Sequence, residues 1–359
     1  MKVLLNGATA GTNFGDFLFA KMFQDRLAKL VGLQNVRWYK SRYALSDFYS
    51  RHLNYHNNYK LNEIDLLIFI SGGYFHGDDR CTKDYILRYL RYFHIGLKCI
   101  LRRIPYAIFG VEVGISPCRW LRLIEKIILS KAHVVIVRNK ESEISFKIMM
   151  GENATVITTS DSVFAMEPSF FEDAPLDVEF NSNYKHLFLH INPTIEANKT
   201  IKEKIIPIVN DFCKTHPEFI VVVGADQYNE SQEIVYNDIK DNLLADNVIF
   251  SKYDNPLSLC RVLDNCDLVI THKLHVGIVS AHLGKSVISF SGHSSKIERL
   301  YNQLNESRRS IPLNTLTRAE GLKILEEFYN IPINVPADIT DKAKLNFKHL
   351  DDFVLKFSK

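Results

Sequence analysis

The sequence predicts an α/β protein built from two doubly wound domains in tandem. Three observations carry that expectation: short, near-continuous Val/Ile/Leu/Phe runs, helical patterns that alternate with them, and one interruption separating two such series. In the first series the runs are 2–7, 36–40, 65–71, 106–110 and 133–138, with a further one near 155–159. The first five end in Gly, Ser or a charged residue, as strands buried on both faces do. Residues 167–184 then carry two prolines, many acids and no sustained period. A linker is therefore expected at 171–184, between an N-terminal domain (1–170) and a C-terminal domain (185–310). The second series runs 186–191, 219–224, 248–250, 268–271 and 286–290, with helices at 200–216 and 256–265 between its members. The remainder, 311–359, reads as a charged helical tail with helices at 317–330 and 341–359. Two open parallel sheets in tandem place a ligand crevice at the carboxyl ends of their strands, the domains facing across a cleft. Chemistry is therefore expected in the loops that follow strands.

Composition narrows the class. Of 359 residues, 46% are hydrophobic and 24% charged, which excludes a disordered or fibrous chain. A net charge of +3 gives no reason to expect a nucleic-acid partner. No apolar run reaches the roughly 18 residues a spanning helix needs. The opening Met1–Gly7 stretch is too short for a signal peptide and reads as a strand, so a cytoplasmic chain is expected. The six cysteines (Cys81, Cys99, Cys118, Cys213, Cys260, Cys266) include no CxxC pair, which predicts free thiols and no metal site.

Four segments can carry chemistry. In 7–16 the glycines stand four apart (Gly7, Gly11, Gly15), matching no dinucleotide or P-loop pattern. The segment is either an anion-holding turn ahead of a helix near Phe17 or a plain turn capped by Asp16. The loop 71–79 (SGGYFHGDD) lets a backbone approach a ligand and ends in Asp78 and Asp79, or is simply a solvated Gly-rich turn. The stretch Gly110–Gly114 forms a third loop of this kind. Arg138 closes a buried run and points into the crevice or caps a neighbouring helix, with Glu141 and Ser142 opening the next helix. The most informative stretch is 268–297, which holds no acid but contains Lys273, Lys285, Lys296 and four of the 13 histidines (His272, His275, His282, His293). Cations without acidic neighbours in sequence suit a small, highly charged anion such as a phosphate ester or a carboxylate. Lys273 and His275 fall at a strand-to-helix junction, where helix N–H groups add to the attraction. Histidine is also the side chain whose proton exchanges near neutrality, making His275 a candidate proton donor.

Taken in order, these segments resemble the polysaccharide pyruvyl transferase family. Members show a G-N-x-G-D core, matched by Gly11 to Asp16 with one extra residue before Asn13. They carry a Gly-rich loop ending in Asp, matched by Ser71-Gly72-Gly73 through Asp78, and an R-D/N-x-x-S segment, matched by Arg138 to Ser142. A D-x-x-F follows at Asp161 to Phe164, then an R-L-H-like Lys273-Leu274-His275, a Val287-Ile288 strand and Lys296. The similarity spans roughly residues 3 to 304. Two departures stand out: Lys273 keeps the charge of the family Arg without its planar fork, and Ser71 replaces a Gly.

The resemblance implies two Rossmann-like halves in a GT-B-like arrangement and a ketal-forming transferase. Such an enzyme moves pyruvate from phosphoenolpyruvate, its co-substrate, onto two hydroxyls of a sugar in a surface polysaccharide precursor, lipid-linked in the expected case. It places the acceptor on the N-terminal side and the donor on the C-terminal side. His275 is then the expected general acid, with Lys273, Arg138 and Lys296 as anion clamps. Asp78 is the hydroxyl-side base, Asp16 and Asn13 orient the acceptor or the loop, with Asp16 counted among the catalytic residues, and Ser142 lies among the substrate-binding residues. No cofactor or metal is required, because cationic side chains neutralise the leaving phosphate. The alternatives are a GT-B glycosyltransferase using a nucleotide sugar and a catalytically inactive carbohydrate-assembly subunit. The missing carboxylates in 268–297 argue against the first, and Lys273 gives the second its weight.

A last signal is charge asymmetry. Residues 80–147 hold 14 Lys/Arg against 5 Asp/Glu, leaving the rest of the chain at −6. Within helix 83–103, Arg88, Arg91, His94, Lys98 and Arg102 share one α-helical face. That face is either a solvated outer surface or one that docks anionic lipid or a lipid-linked diphosphate, which would make the chain peripheral at the inner face of the plasma membrane.

Overall fold

Branched and aromatic side chains pack well on a pleated surface, and the apolar runs of this chain do so in two all-parallel sheets. The computed structural model describes residues 1–39, 47–54, 56–76, 82–245, 247–292 and 294–358. The first sheet contains β1 (Val3–Asn6), β2 (Val36–Trp38), β3 (Leu66–Phe69), β4 (Gly72–Phe75), β5 (Tyr106–Val113), β6 (Val135–Val137) and β7 (Ile157–Thr158). Its order is β2-β1-β3-β5-β6-β7, and β4 also pairs with β5. With it run α1 (Phe14–Val31), α2 (Asp47–His52), α3 (Thr82–Arg88), α4 (His94–Arg102), α5 (Arg119–Lys131) and α6 (Lys140–Met150). The second sheet comprises β8 (Lys185–Ile191), β9 (Phe219–Ala225), β10 (Val248–Ser251), β11 (Leu268–Thr271), β12 (Ser286–Ser291) and β13 (Ser310–Pro312). Its order is β10-β9-β8-β11-β12-β13. Its helices are α7 (Ile206–Thr215), α8 (Gln232–Lys240), α9 (Pro256–Asp264), α10 (Leu274–His282), α11 (Ser294–Gln303) and α12 (Arg318–Phe328); a last helix, α13, spans Ala337–Phe357.

The expected architecture of two Rossmann-like, doubly wound domains is the observed one. Renumbered within its own half, the second sheet reads 3-2-1-4-5-6, whose strand order reverses between β8 and β11. The first reverses between β1 and β3. At such a reversal successive connections leave in opposite directions and open a crevice beyond the carboxyl ends of the strands.

Residues 1–12, 16–166 and 337–359 form one compact unit, and 13–15 with 167–336 form the other. The expected 311–359 tail is therefore divided. Arg318–Phe328 packs on α7 in the second unit, and α13 returns to the first, against the short helical turn at Ser162–Ala165. What fastens α13 is polar as well as apolar. Asn346 is fully buried; its Nδ2 donates to the Ser160 carbonyl at 3.1 Å and its Oδ1 accepts from Thr159 Oγ1 at 3.1 Å. Arg26 Nε donates to Asp351 at 2.8 Å.

Three local expectations change. The expected third loop, 110–114, is mostly strand, since β5 runs on to Val113 through a bulge at Gly110 (φ +62°). The start of the expected second loop is strand β4, because the long β5 offers pairing to Gly72–Phe75 after β3 has ended. Asp16 lies inside the first turn of α1, which starts at Phe14, so it is not a cap. The proposed basic face is also broken. A π-turn at Tyr89–Phe93 inserts between α3 and α4 and shifts the register that aligned the cations. Arg88 points inward, donating to the His76 carbonyl at 2.9 Å, Ser116 Oγ at 3.1 Å and Glu125 at 2.9 Å. Cys99, Cys118, Cys213, Cys260 and Cys266 are free thiols, and Cys81 lies outside the described residues.

Asn346→Ala should lower stability by about 1–3 kcal/mol in a urea melt, because the buried Ser160 carbonyl loses its donor and the Thr159 hydroxyl one of its acceptors. A midpoint unchanged within error would mean that α13 is held by its apolar face alone.

Candidate functional site

In the second unit the carboxyl ends of four neighbouring strands gather the polar residues. Asp226 follows β9, His190 and Asn192 lie at the end of β8, and His272, Lys273 and His275 follow β11. Lys296 sits half-buried in the first turn of α11, after β12. This is the switch point of the sheet. Lys273 is the residue before α10, whose first turn contains no acid. The unpaired N–H groups there and the Lys273 ammonium favour an anion.

Asn13, Phe14 and Gly15 belong to this unit by their contacts. The Phe14 amide donates to the Asp226 carbonyl at 2.9 Å, within the same unit. The His275 ring then rests on the Gly15 backbone: a Cβ built on Gly15 falls 1.9 Å from His275 Nδ1. A side chain there would expel the imidazole. The loop with three spaced glycines thus contributes the seat of the histidine.

Behind that histidine lies a relay that sequence reasoning missed. The Asn192 NH₂ donates to the Ala197 carbonyl at 2.9 Å, which leaves Asn192 Oδ1 to accept from His272 Nε2 at 2.9 Å. Burial first, then His190 and Lys273, holds the His272 pKa well below its ordinary 6.5, so this ring is neutral. Its Nδ1 is then an acceptor, and the contact at 3.1 Å is donated by His190 Nδ1. His190 Nε2 in turn faces Asp226 Oδ1 at 3.3 Å. Burial pushes the Asp226 carboxyl up, but His190 and Lys273 outweigh it and hold the group below its ordinary 3.8. The acid missing from 268–297 is therefore supplied by Asp226 from a neighbouring strand end. Sequence carried a signal for both partners: a His within an apolar strand and an Asp directly after another, each at a carboxyl end.

In the first unit the expected residues part ways. Asp16 is half-buried, and its charge raises the hydroxyl pKa of Tyr49, Tyr74 and Tyr92, in each case after the larger effect of burial; Tyr92 is pushed up to about 12. Arg138 does not offer the free cation that a clamp needs. It is 7% exposed, with Nη2 on Glu112 at 2.5 Å and Nη1 on Asp161 at 3.0 Å, a buried triad of net charge −1. Ser142 is 1% exposed, and its Oγ accepts from the Val113 amide at 3.0 Å, so it braces β5. Asp161 also accepts from the Val163 amide at 3.1 Å, and Ser162 Oγ meets Ser71 Oγ at 2.7 Å. The Gly-rich, Arg and Asp segments of the first unit thus interlock through buried polar contacts. Asp78 lies outside the described residues.

The family model for polysaccharide pyruvyl transferase matches residues 13–294. Among solved structures, the chain is similar to UDP-GlcNAc 2-epimerase from Neisseria meningitidis bound to UDP-GlcNAc, with a TM-score of 0.61 and 14% identity over 98% of this chain and 99% of that one. It is also similar to UDP-GlcNAc 2-epimerase from Methanocaldococcus jannaschii, with a TM-score of 0.60 and 11% identity over 99% and 100%. At these identities the likeness shows the GT-B-like fold alone. No curated protein matches the chain.

The neutral His272 makes stability depend on pH. Its folded pKa lies below 6.5, so the unfolded chain binds the extra proton first, and stability present above that value is lost as pH falls through it. His94 and His186, also lowered by burial, act in the same direction, whereas Asp226 loses its contribution only below 3.8. Urea midpoints should therefore fall between pH 7.5 and 5.0, and fall less in His272→Asn. An equal fall in both proteins would contradict the assigned protonation.

Proposed function

The chain belongs to the polysaccharide pyruvyl transferase family, and from that premise we propose that it moves pyruvate from phosphoenolpyruvate onto two hydroxyls of a sugar, as a ketal. The observation that carries this reading is His275, seated on Gly15 beside Lys273 at an acid-free helix N-terminus. Phosphoenolpyruvate carries a phosphate and a carboxylate, and the Lys273 ammonium, the first N–H groups of α10 and Lys296 supply the opposite charge. His275 donates its proton to the methylene carbon of the enol. The methylene becomes a methyl group as the double bond becomes single, and the neighbouring carbon becomes electrophilic. One sugar hydroxyl attacks that carbon and loses its proton to a carboxylate, with Asp78 as the assigned base. The C–O bond to phosphate then breaks, and the second hydroxyl closes the ring as its proton leaves with the phosphate. Asp16 and Asn13 orient the acceptor in this scheme. Arg138 and Ser142 act one step removed, by holding the strand ends of the first unit.

The Asp226–His190–His272 relay supports the reading by holding His272, and with it the residues that lead into α10, in place. Lys273 binds phosphate as a point charge, without the planar fork of an Arg.

Incubating the protein with phosphoenolpyruvate and extracted lipid-linked or free oligosaccharides should release phosphate and raise acceptor mass by one pyruvate less one water. His275→Ala should lower that rate about 100-fold or more while phosphoenolpyruvate still raises the melting temperature. Turnover of a nucleotide sugar without phosphoenolpyruvate, or full activity of a folded His275→Ala protein, would contradict the proposal.

A further inference from the structure

Trp120 meets Tyr89 edge-on, with ring centroids 6.1 Å apart, yet the outward face of α5 as a whole is more apolar than packing within the chain explains. Leu121, Glu125, Ile128 and Leu129 turn inward and join the core. Trp120, Leu123 and Ile127, spaced three and four apart, form a second apolar row exposed at 41%, 59% and 37%. A surface helix normally turns charged or polar residues to water. The adjacent α4, which packs on α5, adds Leu101 at 83% exposure.

On α4 and α5 the outward-facing charge has one sign. The single carboxylate of α5 is Glu125, which is buried and taken by Arg88 at 2.9 Å. Outside remain Arg119, Arg122, Lys126 and Lys131, and no carboxylate among the described residues pairs with them. Arg102 and Arg103 extend the field at the end of α4. The cations that an unbroken helix 83–103 would align as one stripe are thus rearranged: Arg88 withdraws inward and in doing so removes the acid from the neighbouring surface.

We propose that this α4–α5 face docks on an anionic lipid surface, with Trp120, Leu123 and Ile127 entering the interface and the surrounding Arg and Lys meeting headgroup phosphates. A Trp with aliphatic neighbours, ringed by cations, matches the amphipathic requirements of that boundary. A second copy of the chain fits less well, because a two-fold contact would set these same cations against each other. The helix lies on the bilayer and does not span it: no helix among the described residues is long and apolar enough to cross a membrane. The docking is independent of the donor chemistry proposed above.

The chain reports on this directly, since it has two tryptophans and the other, Trp38, is buried and donates to Gln24 Oε1 at 2.7 Å. Phosphatidylglycerol-containing vesicles at low salt should shift tryptophan emission to the blue, protect it from acrylamide and sediment the protein. Purely zwitterionic vesicles, or raised salt, should weaken all three effects. The outward-facing triple variant Trp120→Tyr/Leu123→Ser/Ile127→Ser should lose sedimentation about tenfold or more, and Arg122→Glu/Lys126→Glu should do the same with the emission probe retained. No sedimentation on anionic vesicles, unchanged sedimentation of both variants, or a blue shift that follows protein concentration without vesicles would overturn the proposal.

Discussion

The absence of one carbon atom at Gly15 decides where His275 can stand. A Cβ there would overlap the imidazole, so the ring's position depends on a glycine some 260 residues earlier in the chain. That glycine is fixed in turn, because the Phe14 amide is bound to the Asp226 carbonyl. The Asp226 carboxylate meets His190, which meets His272, directly before Lys273 and His275. The route closes on itself. Each contact is short-ranged and buried, where a hydrogen bond is strengthened by the low dielectric and an unmade one is costly. The start of α10 is thus held by Gly15 on one side and by the buried histidines on the other.

The first unit uses buried charge for another purpose. Arg138 with Glu112 and Asp161, and Arg88 with Glu125, are ion pairs removed from water. Breaking a buried pair by removing one partner is far more damaging than never having built it. Both pairs join loops to neighbouring elements: Arg88 holds the carbonyl of His76 after β4, and Asp161 caps the turn on which α13 rests. Charged residues in family-like segments can therefore be spent on buried ion pairs. Several hold the backbone on which ligands can be presented.

The strand-and-helix alternation was legible because strands buried on both faces leave unbroken apolar runs. The runs at 3–6, 66–69 and 268–271 end almost where the sequence says. The Lys273-Leu274-His275 junction was legible for the same reason, since it follows such a run. Side-chain direction at a strand end was not. Arg138 closes an apolar run and looks like a free cation until Glu112, 26 residues earlier on another strand, meets it. Helix 83–103 misled through its period: the π-turn at Tyr89–Phe93 changes the register, and nothing in composition announces it. Asp226 escaped notice because its partners lie on neighbouring strands, a proximity set by sheet order and not by spacing along the chain.

These parts support one account of how a proton is delivered. In the proposed reaction, a histidine held on a glycine, beside a lysine and a helix N-terminus, protonates an enol whose phosphate and carboxylate lie against the same cations. The most direct measurement is phosphate release from phosphoenolpyruvate by Gly15→Ala, whose added methyl group displaces His275 without touching its chemistry. The account predicts a loss of about 100-fold or more in turnover, with the circular dichroism spectrum preserved. Wild-type turnover by Gly15→Ala would show that the seat of His275 is irrelevant to the reaction.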